Sequence, residues 1–386
     1  MDKELDSLIN QEKKRQEKTI NLIASENFAS DSVLQALGSV LTNKYAEGYP
    51  GRRYYGGTEI VDKVERLAQE RALKLFKVSP KKWGVNVQPY SGSPANLAVY
   101  FGLVPIGEKI MGMRLDMGGH LTHGHQVNLS GKLWRPVFYG VDRKSEKIDY
   151  QAVERIALKE NPKLIVAGYT AYPRRVSFKK FRAVADKVGA LLLADISHIA
   201  GLVASGIHPS PFPHADIVMT TTHKTLRGPR AAMIFARREL MPEINKAVFP
   251  GLQGGPHLNQ IAAMAAALHE ASRPQFQIYI RQVVKNAKAM AEEFRRLGWR
   301  IVSGGTDIHL FLVDTAKRGV SGKEAENLLA KRGIIVNKNA IPFDSRPPAD
   351  PSGIRIGTAF MTTLGWKERA ARQTARLISS TLLNQN

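Results

Sequence analysis

Between Pro162 and Phe235, short apolar runs alternate with stretches whose apolar residues recur three or four positions apart. The runs are KLIVAG (Lys163 to Gly168), ALLLAD (Ala190 to Asp195), DIVMT (Asp216 to Thr220) and AAMIFA (Ala231 to Ala236). Uninterrupted runs of that length predict strands buried on both faces, and the helical patterns between them predict crossovers. The expected core is therefore a parallel sheet flanked by helices. In SFKKFRAVADKVG, Ser177 is the predicted N-cap and Gly189 lies just past the predicted helix end.

The pattern changes after Arg273 and Pro274. A long amphipathic helix is predicted from Ile278 to Leu297, followed by the strand patterns WRIV and HLFLVD. In SGKEAENLLAKRG, Ser321 and Glu324 have capping-box spacing and Gly333 ends the helix. With GIIVN and a helical tail this makes a small C-terminal α/β domain. A chain of 386 residues exceeds what one core usually serves. The expected division is an N-terminal arm (1–30), a large domain (31–273) and a small one (274–386).

Composition narrows the class. No apolar run approaches the roughly 18 residues of a membrane span. The start, MDKELDSLINQEKKRQEK, mixes both charge signs where a secretory signal needs a basic and then an apolar segment, so a cytoplasmic protein is expected. The absence of cysteine excludes disulfides, thiolate zinc sites and iron–sulfur clusters. Lys and Arg number 56 against 34 Asp and Glu, a net charge of +22. That balance favours anionic partners, but the basic residues are scattered in pairs such as Arg174/Arg175 and Lys331/Arg332. A solvated surface is expected, not a nucleic-acid stripe.

Open parallel sheets carry their chemistry beyond the carboxyl ends of the strands. There the sequence supplies Thr170, then Asp195 and His198, then Thr221, His223 and Lys224. Nucleotide motifs are missing: no two of the 32 glycines flank a single residue, and no glycine pair of Walker spacing is followed by lysine. HLTHGH (His120 to His125) lacks the carboxylate pattern that would make it a metal site, and no metal is expected. QPYSGSPAN (Gln88 to Asn96) has the form of a phosphate cup, with Ser93 as the expected N-cap and Pro94 as the first helical residue. A phosphate cup, a strand-end aspartate, an imidazole and one lysine are the parts of a pyridoxal phosphate site. The amine holds the aldehyde and the carboxylate keeps the ring nitrogen protonated.

Long blocks in order along nearly the whole chain resemble the serine hydroxymethyltransferase family. They include LIASENFAS, LTNKYAEGYPGRRYYGG, NVQPYSGSPAN, GGHLTHG, DISHIAGLVASG, TTTHKTLRGPR, FPGLQGGP, VSGGTDIHLFLVD and SGIRIGT. The resemblance implies the aspartate-aminotransferase-like fold (fold type I) and pyridoxal 5'-phosphate as cofactor. It also implies reversible transfer of the hydroxymethyl carbon of L-serine to tetrahydrofolate, giving glycine. A folate-independent aldolase cleaving β-hydroxy amino acids such as threonine is the alternative.

By resemblance, Lys224 ties the cofactor covalently, Asp195 faces the ring nitrogen and His120 stacks on the ring. Ser91, Gly92 and Ser93 hold the phosphate, with Thr221 also at the cofactor. Thr170 stands where many members have serine, near the phenolic oxygen, and His223 tunes the lysine. Arg355 grips the amino-acid carboxylate, assisted by Ser25 and His198, with Arg230 in support. Glu47 is the implied acid/base group. Tyr45, Glu47, Tyr55, Gly254 and Gly255 are implied to come from a second subunit, making the protein a homodimer, with a tetramer open. Leu115, Gly119, Leu121 and Asn339 match positions lining the folate pocket. Part of the surplus charge is expected to steer the anionic folate tail.

Overall fold

The computed structural model describes residues 2–383. Its central sheet has seven strands: β1 (Trp83–Asn86), β2 (Lys109–Met113), β3 (Arg135–Tyr139), β4 (Leu164–Gly168), β5 (Leu191–Asp195), β6 (Ile217–Thr221) and β7 (Ala232–Arg237). In space the order is β1-β7-β6-β5-β4-β2-β3. Neighbours from β6 through β3 are parallel. The run AAMIFA departs from the parallel expectation, because β7 lies antiparallel to both β6 and β1. The reason is the connection: residues 222–231 hold no helix, and a parallel return requires a crossover of a dozen or more residues.

Helices α1 (Glu59–Leu75), α2 (Gly92–Leu103), α3 (Phe178–Val188) and α4 (Leu258–Ala271) belong to the same unit as this sheet. The apolar α2 packs Ala95, Val99 and Tyr100 on Leu164, Val166, Leu193, Ile217, Met219 and Ile234 of the strands. Each large side chain buried this way stabilises the fold by about 1.5–3 kcal/mol. Helix α3 begins where the sequence places it, with Ser177 Oγ accepting from the Lys180 N–H at 3.3 Å. It ends at Gly189, whose φ of 63° is the left-handed cap that glycine adopts without strain.

Helix α5 (Pro274–Arg296) starts four residues before the amphipathic pattern suggests, because Pro274 suits the first helical position. The chain's contacts divide it at Glu26/Asn27 and at Arg281/Gln282: Asn27–Arg281 is one compact unit, and the described residues before and after it form another. The division into an arm and two domains read from the sequence stands as a proposal beside this.

The second unit has its own antiparallel sheet of β8 (Arg300–Ile301), β9 (Leu310–Asp314), β10 (Asn337–Asn339) and β11 (Gly353–Gly357), ordered β8-β9-β11-β10. Phe311, Val313, Ile354 and Ile356 are buried against Met290 and Phe294 of α5, Leu329 of α6 (Gly322–Lys331) and Ile378 and Leu382 of α7 (Glu368–Leu383). Ser321 caps α6 through the Glu324 N–H at 3.2 Å. The N-terminal Ile20–Asn21 pairs in parallel with Ile334–Ile335. Among the described residues, no helix is long and apolar enough to cross a membrane.

Candidate active site

The strand order of the large sheet reverses at β2, which has β3 on one side and β4 on the other. Ligand sites form at such a point because the loops leaving the two strands part there. Here they are joined by backbone bonds: Thr170 N and Ala171 N donate to Gly118 O at 2.8 and 3.1 Å. Gly119, next in that loop, is indispensable as glycine, since a Cβ would lie 2.1 Å from Met113 O.

Asp195 ends β5 and is buried. Its Oδ2 accepts from Asn96 Nδ2 on α2 at 3.0 Å and meets His123 Nε2 at 3.0 Å, while Oδ1 accepts from the Ser197 N–H at 3.0 Å. Burial works against its charge, but the bonds from His123 and Ser197 and the imidazole fields outweigh it and hold the carboxyl well below the usual range. The result is a charged carboxylate in a buried place. Asn96 Nδ2 is also 2.9 Å from Thr122 Oγ1, which lies 2.7 Å from His120 Nδ1, so His120 joins the same network.

The neighbouring parallel strand, β6, leads into Lys224. Lys224 Nζ donates to Thr221 Oγ1 at 2.9 Å, and Thr221 N donates to Ser197 Oγ at 3.2 Å, linking the amine to the Asp195 side within a few bonds. His223 Nδ1 is buried without a hydrogen-bond partner among the described residues. Burial, then the charges of Lys224 and Arg230, push its imidazole down to about 3, so it is neutral near pH 7. Arg230 itself is exposed, and His198 is buried with its carbonyl accepting from Thr225 Oγ1 at 3.3 Å.

The phosphate cup corrects one expectation. Ser91, not Ser93, is the N-cap of α2, and the helix begins at Gly92, two residues before Pro94. The first turn can start earlier because Gly92 fits where a side chain would not: a Cβ there would meet Thr221 Cγ2 at 2.7 Å. Ser91 makes no side-chain cap bond, which leaves its hydroxyl out of helix capping. The start of α2 and the end of β6 are thus in direct contact.

A second cluster gathers the residues that the resemblance gives to a neighbouring subunit. The Tyr45 and Tyr55 rings are 5.3 Å apart, and a Cβ on Gly255 would lie 3.2 Å from the Tyr45 ring. A Cβ on Gly254 would lie 3.6 Å from Glu47 Oε1. Tyr90 Oη donates to Gly255 O at 2.8 Å. Unlike Asp195, Tyr45 and Tyr55 are 60% and 45% exposed, and Leu115 and Leu121 are exposed as well.

Ser25, Asn339 and Arg355 belong to the other unit. Arg355 sits in β11 opposite Leu312 and Asn337, with Nε donating to Asn337 Oδ1 at 3.1 Å. It is buried, which removes a surface ion pair as its explanation, and burial pushes the guanidinium down to about 10. Asn339 ends β10 with Nδ2 donating to Ala340 O, and Ser25 is partly buried.

Sequence reasoning passed over Asn96, Thr122, His123, Ser197 and Tyr90. His123 was in view inside HLTHGH, which was weighed only as a metal motif and set aside; its ring meets Asp195.

These features fit pyridoxal phosphate. A buried carboxylate kept ionised suits a protonated ring nitrogen, the start of α2 at Gly92 offers the backbone N–H groups of a helix end to a phosphate, and the buried, unpartnered Nδ1 of His223 belongs to the residue next to Lys224. Residues 1–378 match the family model described as serine hydroxymethyltransferase. The chain belongs to the serine hydroxymethyltransferase family. It is 54% identical over 385 residues to a serine hydroxymethyltransferase of Acidobacterium capsulatum, covering 100% of this chain and 89% of that one. It is also 54% identical to a serine hydroxymethyltransferase of Coprothermobacter proteolyticus, covering 100% and 92%. Pyridoxal phosphate dependence is inherent to the serine hydroxymethyltransferase family, and membership in it favours the transferase over the folate-independent aldolase.

Proposed function

We propose that this chain catalyses reversible transfer of the hydroxymethyl carbon of L-serine to tetrahydrofolate, giving glycine and 5,10-methylenetetrahydrofolate. The observation that supports it most is the charged, buried Asp195 linked through Ser197 and Thr221 to Lys224. Bound pyridoxal phosphate supplies an aldehyde that captures an amine and a ring that accepts electrons. Lys224 is the residue to tie it, Asp195 to hold its ring nitrogen, and Ser91, Gly92 and Ser93 to hold its phosphate. His120 and Thr170 complete that set, with Tyr45, Gly254 and Gly255 supplied across a homodimer.

Arg355 binds the carboxylate of serine or glycine through its planar fork, with Ser25, His198 and Arg230 in support. Glu47 moves a proton at the serine hydroxyl oxygen, and Tyr55 orients it. Neutral His223 accepts a hydrogen bond beside Lys224 without adding a competing cation. Leu115, Gly119, Leu121 and Asn339 line the folate side.

The purified protein's visible spectrum, recorded with glycine alone and then with tetrahydrofolate, tests this. A strong new absorbance band that requires both ligands is expected, and a band that folate does not enhance would favour the aldolase. Dialysed Lys224→Ala should lose all cofactor colour; retained colour would remove Lys224 as the anchor.

A further inference from the structure

Arg53 lies in the second strand of the hairpin that follows Glu47 (Gly48–Tyr49 paired with Arg52–Arg53), and its side chain is only 2% exposed. Four of its five N–H groups are engaged inside the chain. Nε donates to Asp62 Oδ1 at 2.8 Å and Nη2 to Glu65 Oε2 at 2.7 Å, both on α1. Nη1 donates to Ala46 O at 2.9 Å and to Gly48 O at 2.8 Å, the carbonyls on either side of Glu47. The hairpin turn is fixed to the same helix by Gly51 N donating to Asp62 Oδ2 at 2.7 Å.

Glu65 extends this in a second direction. Its side chain is fully buried, and both oxygens accept from Gln88 Nε2, at 3.0 and 3.2 Å. Gln88 Nε2 also donates to Gly48 O at 3.0 Å, and Gln88 O accepts from Gln253 Nε2 at 2.9 Å. Gln253 Oε1 in turn accepts from Tyr90 N at 3.1 Å. One buried network therefore runs from the backbone around Glu47 to the loop that leads into Gly92 and to the residue before Gly254.

A buried ion cluster is a poor way to stabilise a fold, since apolar side chains of equal volume do as well or better. What apolar packing cannot do is fix two particular carbonyls by directed hydrogen bonds. We propose that Glu65, acting with Arg53 and Gln88, is a positioning residue that fixes the backbone on both sides of Glu47 to α1, so that the Glu47 carboxyl is presented in one place to the site it serves on the partner subunit. This rests on the reading of Glu47 as the proton-moving group. Glu65 touches neither substrate nor cofactor in this scheme. It acts by orienting Arg53 and Gln88, and a displacement of about 1 Å at a reacting group costs on the order of 100-fold in rate.

The test uses the full-length holoenzyme and Glu65→Gln, which keeps the shape and removes the charge. The expected result is a kcat for serine and tetrahydrofolate lowered by roughly 10- to 100-fold. The serine KM should stay within about twofold and cofactor absorbance should be unchanged, as for a lost transition-state interaction. Amide exchange should quicken in residues 45–55 and 88–92 together. Glu65→Gln added to Glu47→Gln should cost little beyond Glu47→Gln alone, because residues acting through one group are not additive. Additive losses, or exchange changes confined to residues 59–75, overturn the proposal. Should Glu65→Gln fail to fold, Gln88→Ala carries the same expectations. If Glu47→Gln leaves the rate intact, the acid/base reading of Glu47 falls separately, and the exchange data alone decide whether Glu65 ties the two segments.

Discussion

The Asp195–Lys224 cluster and the Glu47 hairpin are built in opposite ways. At the strand ends the candidate groups themselves are drawn into the fold and held: buried Asp195 by three partners, half-buried Lys224 by Thr221. At the hairpin the backbone is bolted through Arg53 while Tyr45 and Tyr55 project with 60% and 45% exposure. The first arrangement tunes charge, because low dielectric and directed bonds act on the carboxylate itself. The second presents groups outward on a rigid mount.

That contrast breaks if both regions respond alike to substitution. The largest effect is expected from Asp195→Ala, which leaves His123 and Asn96 facing a void at a buried position. A loss of about 3–5 kcal/mol in urea unfolding, together with lost cofactor colour, is expected. Tyr55→Phe and Glu47→Gln should do the reverse: transfer rates lower by roughly 10²- to 10⁴-fold for Glu47→Gln, with stability within about 0.5 kcal/mol of the parent. An unfolding transition shifted as far as that of Asp195→Ala would show that the hairpin side chains are structural.

Gly92→Ala probes the contact between α2 and β6. Its Cβ would press on Thr221 Cγ2 at 2.7 Å, so overpacking of about 1–3 kcal/mol is expected, read as weaker phosphate and cofactor binding. The last probe is the acid response of His223. Its folded value, about 3, lies below the ordinary one of about 6.5, so between them the unfolded chain binds one proton more. Stability then falls as pH drops through that window, by about 1.4 kcal/mol per pH unit. Asp195 cannot account for a slope above pH 5. As a carboxylate held below its usual range, its contribution is complete above roughly pH 4 and fades only as pH falls further. His223→Gln should flatten the slope between pH 6.5 and 5 in urea midpoints, and an unchanged slope would place the titrating group elsewhere.

Much of the strand-end cluster was legible because a parallel sheet puts its chemistry at predictable places: once KLIVAG, ALLLAD and DIVMT read as strands, Thr170, Asp195 and Lys224 followed. The hairpin was visible only by resemblance, since YAEGYPGRRYYGG has no periodicity from which to read a fold. Arg53 and Glu65 gave no signal at all; an arginine and a glutamate twelve residues apart look like solvated charges until α1 is laid beside the hairpin. The misplaced cap at Ser93 has the same origin, because the close approach of Gly92 to Thr221 links positions far apart in the chain.

The sequence by itself determined the layered α/β class, the family and the identity of the strand-end groups, because hydrophobic periodicity and long ordered motifs are local information. The tertiary structure decided the direction of β7, the ionised state of buried Asp195 and the network that fixes Glu47. Those depend on which distant side chains share a low-dielectric space, and that is set only when the sheet, α1 and α2 pack together.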